Sequence, residues 1–309
     1  MKRACSLNTI KDGNSNMRVP SDHLKTKYSL MKRKIAPTFM MMALMVLLCS
    51  WGDKGHQKIN GSAPRFFPAR LNHFKGWSEK LAAHGSDADN RKKDDRTEGV
   101  KHYIDIDAYK DFVGMHRITE DKGAAFSQYG KEFIMKNGTL PWVTDSTYHV
   151  LVLQFRSKEW TKVVLTAADL GHYVGDGHMP LHLTLNYDGK TSGQSGIHSR
   201  YESKMINKYV DQIVVKRSCT HKIKDVNRYV FDYIYNNYQY KDSLLNADKF
   251  AFEKANHEYS DLYYETLWNR TKGFTRQMIA GSSKSLAELI RMAWIEAGRP
   301  RIPRDITFQ

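Results

Sequence analysis

Apolar residues recur at spacings of three and four over 145–157 (DSTYHVLVLQFRS), 160–176 (WTKVVLTAADLGHYVGD), 198–217 (HSRYESKMINKYVDQIVVKR), 223–236 and 274–297. That period belongs to helices that bury one face and show the other to water. The period-two alternation of strands is scarce, although His102–Asp107 (HYIDID) alternates over a short apolar stretch. Breakers fall between the periodic segments: Asn137-Gly138, Pro141, the run from Gly177 to Pro180, and the polar loop 186–196 (NYDGKTSGQSG); such clusters mark turns and helix ends. Ser86-Asp87-Ala88-Asp89 reads as a loop that offers carboxylates. No repeat, low-complexity tract or long Pro/Gly/Ser linker divides residues 51–309, so the pattern predicts one all-α domain there.

The N-terminal fifty residues follow a different plan. Residues 35–49 (IAPTFMMMALMVLLC) form an uncharged apolar run behind Lys32, Arg33 and Lys34, with Ser50 and a polar stretch after it. This is the layout of a secretory signal. The run falls short of the roughly 20 apolar residues that a spanning helix needs and contains Pro37. Cleavage after Ser50 is expected, giving a secreted or periplasmic chain that begins at Trp51; a lipid anchor at Cys49 is the alternative, disfavoured by the bulky Leu47 and Leu48. Met31 opens a signal of ordinary size, which leaves residues 1–30 without a role.

That division changes the meaning of the charge. The chain of 309 residues has 48 Lys plus Arg against 33 Asp plus Glu, a net charge of +15. Nine of those cations and two of the anions lie in residues 1–50, so +7 belongs to the targeting segment and +8 to the rest. The remaining surplus points only weakly to a phosphate backbone. Of three cysteines, Cys5 and Cys49 fall in the N-terminal segment, which leaves Cys219 alone and rules out a disulfide framework.

Histidines and carboxylates supply the candidate chemistry. His172 and Asp176 are four apart, as are His198 and Glu202, so each pair projects from one helix face. His182 lies just past the break that ends the first helix. A single such pair is ordinarily a helix-face hydrogen bond; two pairs joined by a histidine-bearing break fit zinc, which takes imidazole nitrogen and carboxylate oxygen. The spacings around His84, His116, His149, His221 and His257 match nothing, and the ordinary structural or exposed reading holds for them. His178 is expected to line a cleft or be solvated.

These residues resemble the zinc-dependent phospholipase C and single-strand-specific nuclease superfamily, whose pattern of Trp, early His, Asp, His, H-x-x-x-D, His and H-x-x-x-E/D is met in order from Trp51 to Glu202. The resemblance implies an all-helical domain around three zinc ions. It assigns the Trp51 amine and carbonyl, His56 and Asp176 to one ion. Asp89, His102, His172 and Asp176 go to a second, and His182, His198 and Glu202 to a third. Asp89 is preferred over Asp87, Asp94 and Asp95 because Asp-Ala-Asp resembles the family's Ala-Asp position. Asp89 is also the implied catalytic group, orienting or deprotonating the attacking water. A Trp51 amine can be a ligand only at a chain terminus, which cleavage after Ser50 would create.

The resemblance leaves the substrate between phospholipid and single-stranded nucleic acid. Gly196-Ile197-His198-Ser199-Arg200-Tyr201-Glu202 resembles the phospholipase C branch, and the paired cysteines usual in the nucleases are absent; the short Trp51-to-His56 spacing looks more like the nucleases. A phospholipase C-type hydrolase is the first expectation, with peripheral membrane contact and no obligate protein partner. The nuclease is the alternative, and a non-catalytic secreted zinc-binding protein the minor one. The aromatic stretch 229–240 (YVFDYIYNNYQY) is expected to be helix core.

Overall fold

A computed structural model describes residues 52–308, and among them helices are the only regular elements. In chain order they are α1 (Gly52–Ser62), α2 (Trp77–Ala83), α3 (Asp87–Arg91), α4 (Lys110–Met115), α5 (Lys122–Tyr129), α6 (Lys131–Asn137), α7 (Leu140–Ser157), α8 (Trp160–Asp176), α9 (Ile197–Ser199), a π-helical stretch Arg200–Met205, α10 (Ile206–Tyr209), α11 (Val226–Tyr238), α12 (Lys241–Lys254) and α13 (Asp261–Glu296). Short 3-10 turns join several of them. The all-α expectation holds. None of the described helices is long and apolar enough to cross a membrane; the apolar run 35–49 and its cleavage point lie outside the described residues.

Boundaries follow local chemistry. Pro141 sits in the first turn of α7, where its missing N–H costs no helical bond. Asp121 and Asp225 cap α5 and α11, each accepting a backbone N–H three residues on. α8 ends at Asp176, before the Gly177–Pro180 break. The expected helix 198–217 stops earlier, because Ile213 and Val215 are buried while Val214 between them is exposed. That is a period-two pattern in β-branched residues, and 213–225 runs non-helically to α11. The last helix is longer than expected, starting at Asp261. His102–Asp107 forms no strand; Ile106 opens a 3-10 turn.

Two apolar clusters organise the packing. One gathers Ile59 of α1, Leu81 of α2, Leu151 and Phe155 of α7, and Leu286 and Ile290 of α13. The other gathers Ile104, Ile106, Tyr109, Trp142 and Phe231, which places the aromatic stretch of α11 in the core as expected. α8 contributes to both: Leu170 and Val174 face the first, Tyr173 the second. Leu181 and Leu183 divide in the same way around His182. The candidate ligands therefore lie along the seam between two apolar bodies.

Two glycines bring α1 against that seam. A methyl group on Gly171 would lie 2.1 Å from Asn60 Oδ1, and one on Gly175 would lie 3.1 Å from the His56 ring. Glycines at i and i+4 on α8 thus admit the i and i+4 side chains of α1. Asn60, fully buried, donates to the Leu81 and Ala168 carbonyls and fixes the crossing.

Candidate metal centre

Three sets of ligand-type side chains converge among the described residues: His56, His172 and Asp176; Asp89, His102 and His172; and His182, His198 and Glu202. The last set is the one expected; the first differs in that His172, expected only in the set with Asp89 and His102, also stands with His56 and Asp176. Trp51 lies outside the described residues. Its neighbour Gly52 packs against the π-helical turn, where an added Cβ would meet the Glu202 carbonyl oxygen at 3.2 Å.

The tightest set has the spacing of a coordination shell. His102 Nδ1 lies 3.0 Å from His172 Nε2 and 3.0 Å from Asp176 Oδ2. His172 Nε2 lies 3.4 Å from Asp176 Oδ2, and Asp89 Oδ1 lies 3.5 Å from both imidazole nitrogens. Four atoms around a tetrahedral ion at about 2.0–2.1 Å stand roughly 3.3–3.4 Å apart. Asp176 serves a second group with its other oxygen: Oδ1 is 3.5 Å from His56 Nε2 and 3.9 Å from His182 Nε2. Glu202 completes the last set, with Oε2 3.2 Å from His182 Nε2 and Oε1 3.0 Å from His198 Nε2.

Outer partners orient the rings. His172, His182 and His198 direct Nδ1 to the carbonyls of Gly85, His102 and Tyr187, at 2.8, 2.7 and 3.3 Å. A histidine that donates Nδ1–H to a carbonyl presents a bare Nε2, the arrangement metal-binding histidines adopt. His102 is reversed: Nδ1 faces the cluster and Nε2 faces Glu98 Oε1 at 3.5 Å. Glu98 is almost fully buried, and Lys101 and Tyr173 hold it by hydrogen bonds of 2.6 and 2.5 Å.

The electrostatics call for positive charge in the middle. Burial disfavours a charged His172, yet Asp176 and Asp89 outweigh it and hold the ring up at about 10. Burial and the neighbouring His172 charge push His56 down to about 3. Burial works against ionised Asp176, but His172 and His182 keep it well below the ordinary carboxylate range. Two sealed carboxylates, Asp176 and Glu202, with the partly buried Asp89 and five buried histidines are costly to hold together unless a cation balances them. Buried groups of this composition are able to bind metal ions, and the donor set is all nitrogen and oxygen.

Several expectations sharpen or change. Asp89 belongs to a helix, α3, instead of a loop. Asp87 bonds His84 Nδ1 at 2.7 Å, and Asp95 bonds Thr97, so only Asp89 of the acidic run reaches the cluster. His178 is neither cleft nor solvent: it stacks on Tyr233 at 4.4 Å and bonds the Val174 carbonyl. His116, His149, His221 and His257 are exposed, as expected, and Cys219 is an exposed free thiol. Two residues beside the ligands are not marked by the sequence pattern of the site. Glu98 carried a signal, standing four before His102, in a segment without helical period. Lys92, whose Nζ lies 2.6 Å from Asp89 Oδ1, is the residue that follows the end of α3.

No protein-family model and no curated protein matches this chain.

Proposed function

We propose that this chain is a zinc-dependent phosphodiesterase of the phospholipase C type, exported by the signal at 35–49 and processed after Ser50. The observation that carries the reading is the sharing of Asp176: Oδ2 faces His102 and His172 while Oδ1 faces His56 and His182. A buried carboxylate with one oxygen toward each of two ligand sets suits adjacent cations.

Asp89, His102, His172 and Asp176 would hold one zinc; His56, Asp176 and the Trp51 terminus a second; His182, His198 and Glu202 a third. Bound zinc would supply Lewis acidity, lowering the pKa of water towards about 7 and offsetting charge developing on a phosphoryl group. The remaining work falls to side chains. Asp89 keeps 14% of its side chain exposed where the other carboxylates of the cluster are sealed, so it is the acidic group able to meet a water arriving from solvent. It orients that water and accepts its proton; burial works against the ionised carboxylate, and His172 first, with Lys92 after it, favours it.

The phospholipid preference rests on the Gly196–Glu202 stretch and its terminal Glu ligand. The nuclease reading keeps the Trp51-to-His56 spacing in its favour. The deciding experiment assays the processed protein on phosphatidylcholine vesicles and on single-stranded DNA, with and without a chelator. Phosphatidylcholine hydrolysis that chelation abolishes and zinc restores is the expected result. Cleavage of DNA alone would give the nuclease, zinc binding without turnover the non-catalytic reading, and chelator-resistant hydrolysis would remove the zinc mechanism.

A further inference from the structure

Arg200 lies two residues after His198 and two before Glu202, which puts it on the opposite side of the same turn. It is 5% exposed. A buried guanidinium needs partners for its N–H groups, and Arg200 makes hydrogen bonds through all three of its nitrogens. Nε donates to Tyr263 OH at 3.1 Å, Nη1 to the Ser195 carbonyl at 2.7 Å, and Nη2 to the Gln194 carbonyl at 3.0 Å and to Asp248 Oδ1 at 3.3 Å. Its face covers the Tyr259 ring at 4.1 Å.

Asp248, of α12, is the anion of this network and is 2% exposed. It also accepts from Tyr263 OH of α13 and, at 2.7 Å, from Gln194 Nε2. One buried ion pair thus ties α12 and α13 to two other things: the π-helical turn that carries Glu202, and the end of loop 186–196. The same loop supplies the Tyr187 carbonyl that receives His198 Nδ1. Gly196, at φ 86°, closes the loop back on Asp188 through its N–H and leads directly into α9. Both ligands on this turn are therefore held from behind by Arg200, His198 through the loop and Glu202 through the helix backbone. π-helical turns are uncommon and frequently stand at functional sites.

We propose that Arg200 and Asp248 are positioning residues for the third ligand set, His182, His198 and Glu202: the buried pair locks the wide turn in the register at which His198 and Glu202 meet one cation. This inference rests on the zinc reading above. A general packing role would weaken the whole domain, whereas positioning weakens one ion selectively.

The test is zinc binding by the processed full-length domain, read as bound zinc per chain and as affinity in competition with a chromogenic chelator. Wild type, Asp248→Asn and His198→Ala are compared. Asp248→Asn is expected to lower the affinity for one ion about 10- to 100-fold, leave the others unchanged, and match the stoichiometry of His198→Ala at limiting zinc. Tyr263→Phe, which removes one hydroxyl and keeps the ring, should give a smaller selective loss and serves as the decisive variant if Asp248→Asn does not fold. Wild-type affinity in the variants, or equal weakening of every ion, would overturn the proposal. Wild type that binds no zinc would instead overturn the functional reading itself.

Discussion

Glu98 shows how much a residue outside the ligand set can decide. His102 enters the cluster through Nδ1, so its Nε2 must be satisfied behind, and the buried Glu98 stands there with Lys101, Tyr173 and Arg91 around it. Glu98→Gln keeps the shape and removes the charge that favours Nε2–H; zinc affinity measured by competition should fall 10- to 100-fold, with little change in the helical circular dichroism. The acidic run offers a sharper contrast. On the proposed mechanism Asp89→Asn removes both a ligand oxygen and the proton acceptor and should reduce phosphodiesterase turnover at least 100-fold, while Asp87→Asn should leave kcat within about twofold, since Asp87 bonds His84, outside the three ligand sets. Sequence spacing could not separate these two aspartates. Where α3 turns decides which of them reaches His102 and His172.

At the scale of elements, the site depends on how closely α1 and α8 approach. Gly171 and Gly175 leave no side chain between the helices, and Asn60 and His56 fill the space. Gly171→Ala forces a methyl group into Asn60 and Leu286 in a packed interior and should cost roughly 3 kcal/mol, seen as a lower urea midpoint at unchanged m-value. Gly175→Ala meets the His56 ring at 3.1 Å, a contact that a small ring shift relieves; its effect should fall on zinc affinity more than on stability. The i,i+4 pairs of α8 and of the α9 turn were readable because helical geometry projects such pairs from one face. The π-helical stretch was not. Whether a turn closes at four residues or five depends on what anchors it from outside, here Arg200 against α12 and α13. The non-helical 213–225 segment escaped for a related reason: the run Ile213-Val214-Val215 fits either period until burial shows which residues face inward.

For the whole molecule, two apolar bodies meeting along a polar seam make stability sensitive to the seam's charge. Asp105, 8% exposed beside the cluster, is pushed up to about 7 by burial and by Asp107, with His182 opposing. Its folded pKa exceeds the unfolded value of about 3.9, so the folded chain holds the extra proton between the two. This group's contribution is most favourable at low pH, declines as pH rises from about 4 to 7, and is a full penalty above. Asp105→Asn should therefore stabilise the protein above pH 7 by something on the order of 4 kcal/mol, have little effect near pH 4, and flatten the slope of unfolding free energy between. Denaturant melts at pH 5 and pH 8 measure it, and equal changes at both values would contradict the assignment.

The sequence by itself determined the helical class, the ends of α8, the core role of the α11 aromatics and the identity of most of the residues that meet in the cluster. Each of these rests on local periodicity, a breaker, or side-chain chemistry at a fixed spacing. Only the tertiary structure decided that α1, α3, α8 and the α9 turn bring their ligands to one seam, that Asp89 and not Asp87 arrives there, that His178 turns away into the core, and that Glu98 and Arg200 stand behind the ligands. Those outcomes depend on contacts between residues tens of positions apart, and a spacing rule carries no information about which helix faces which.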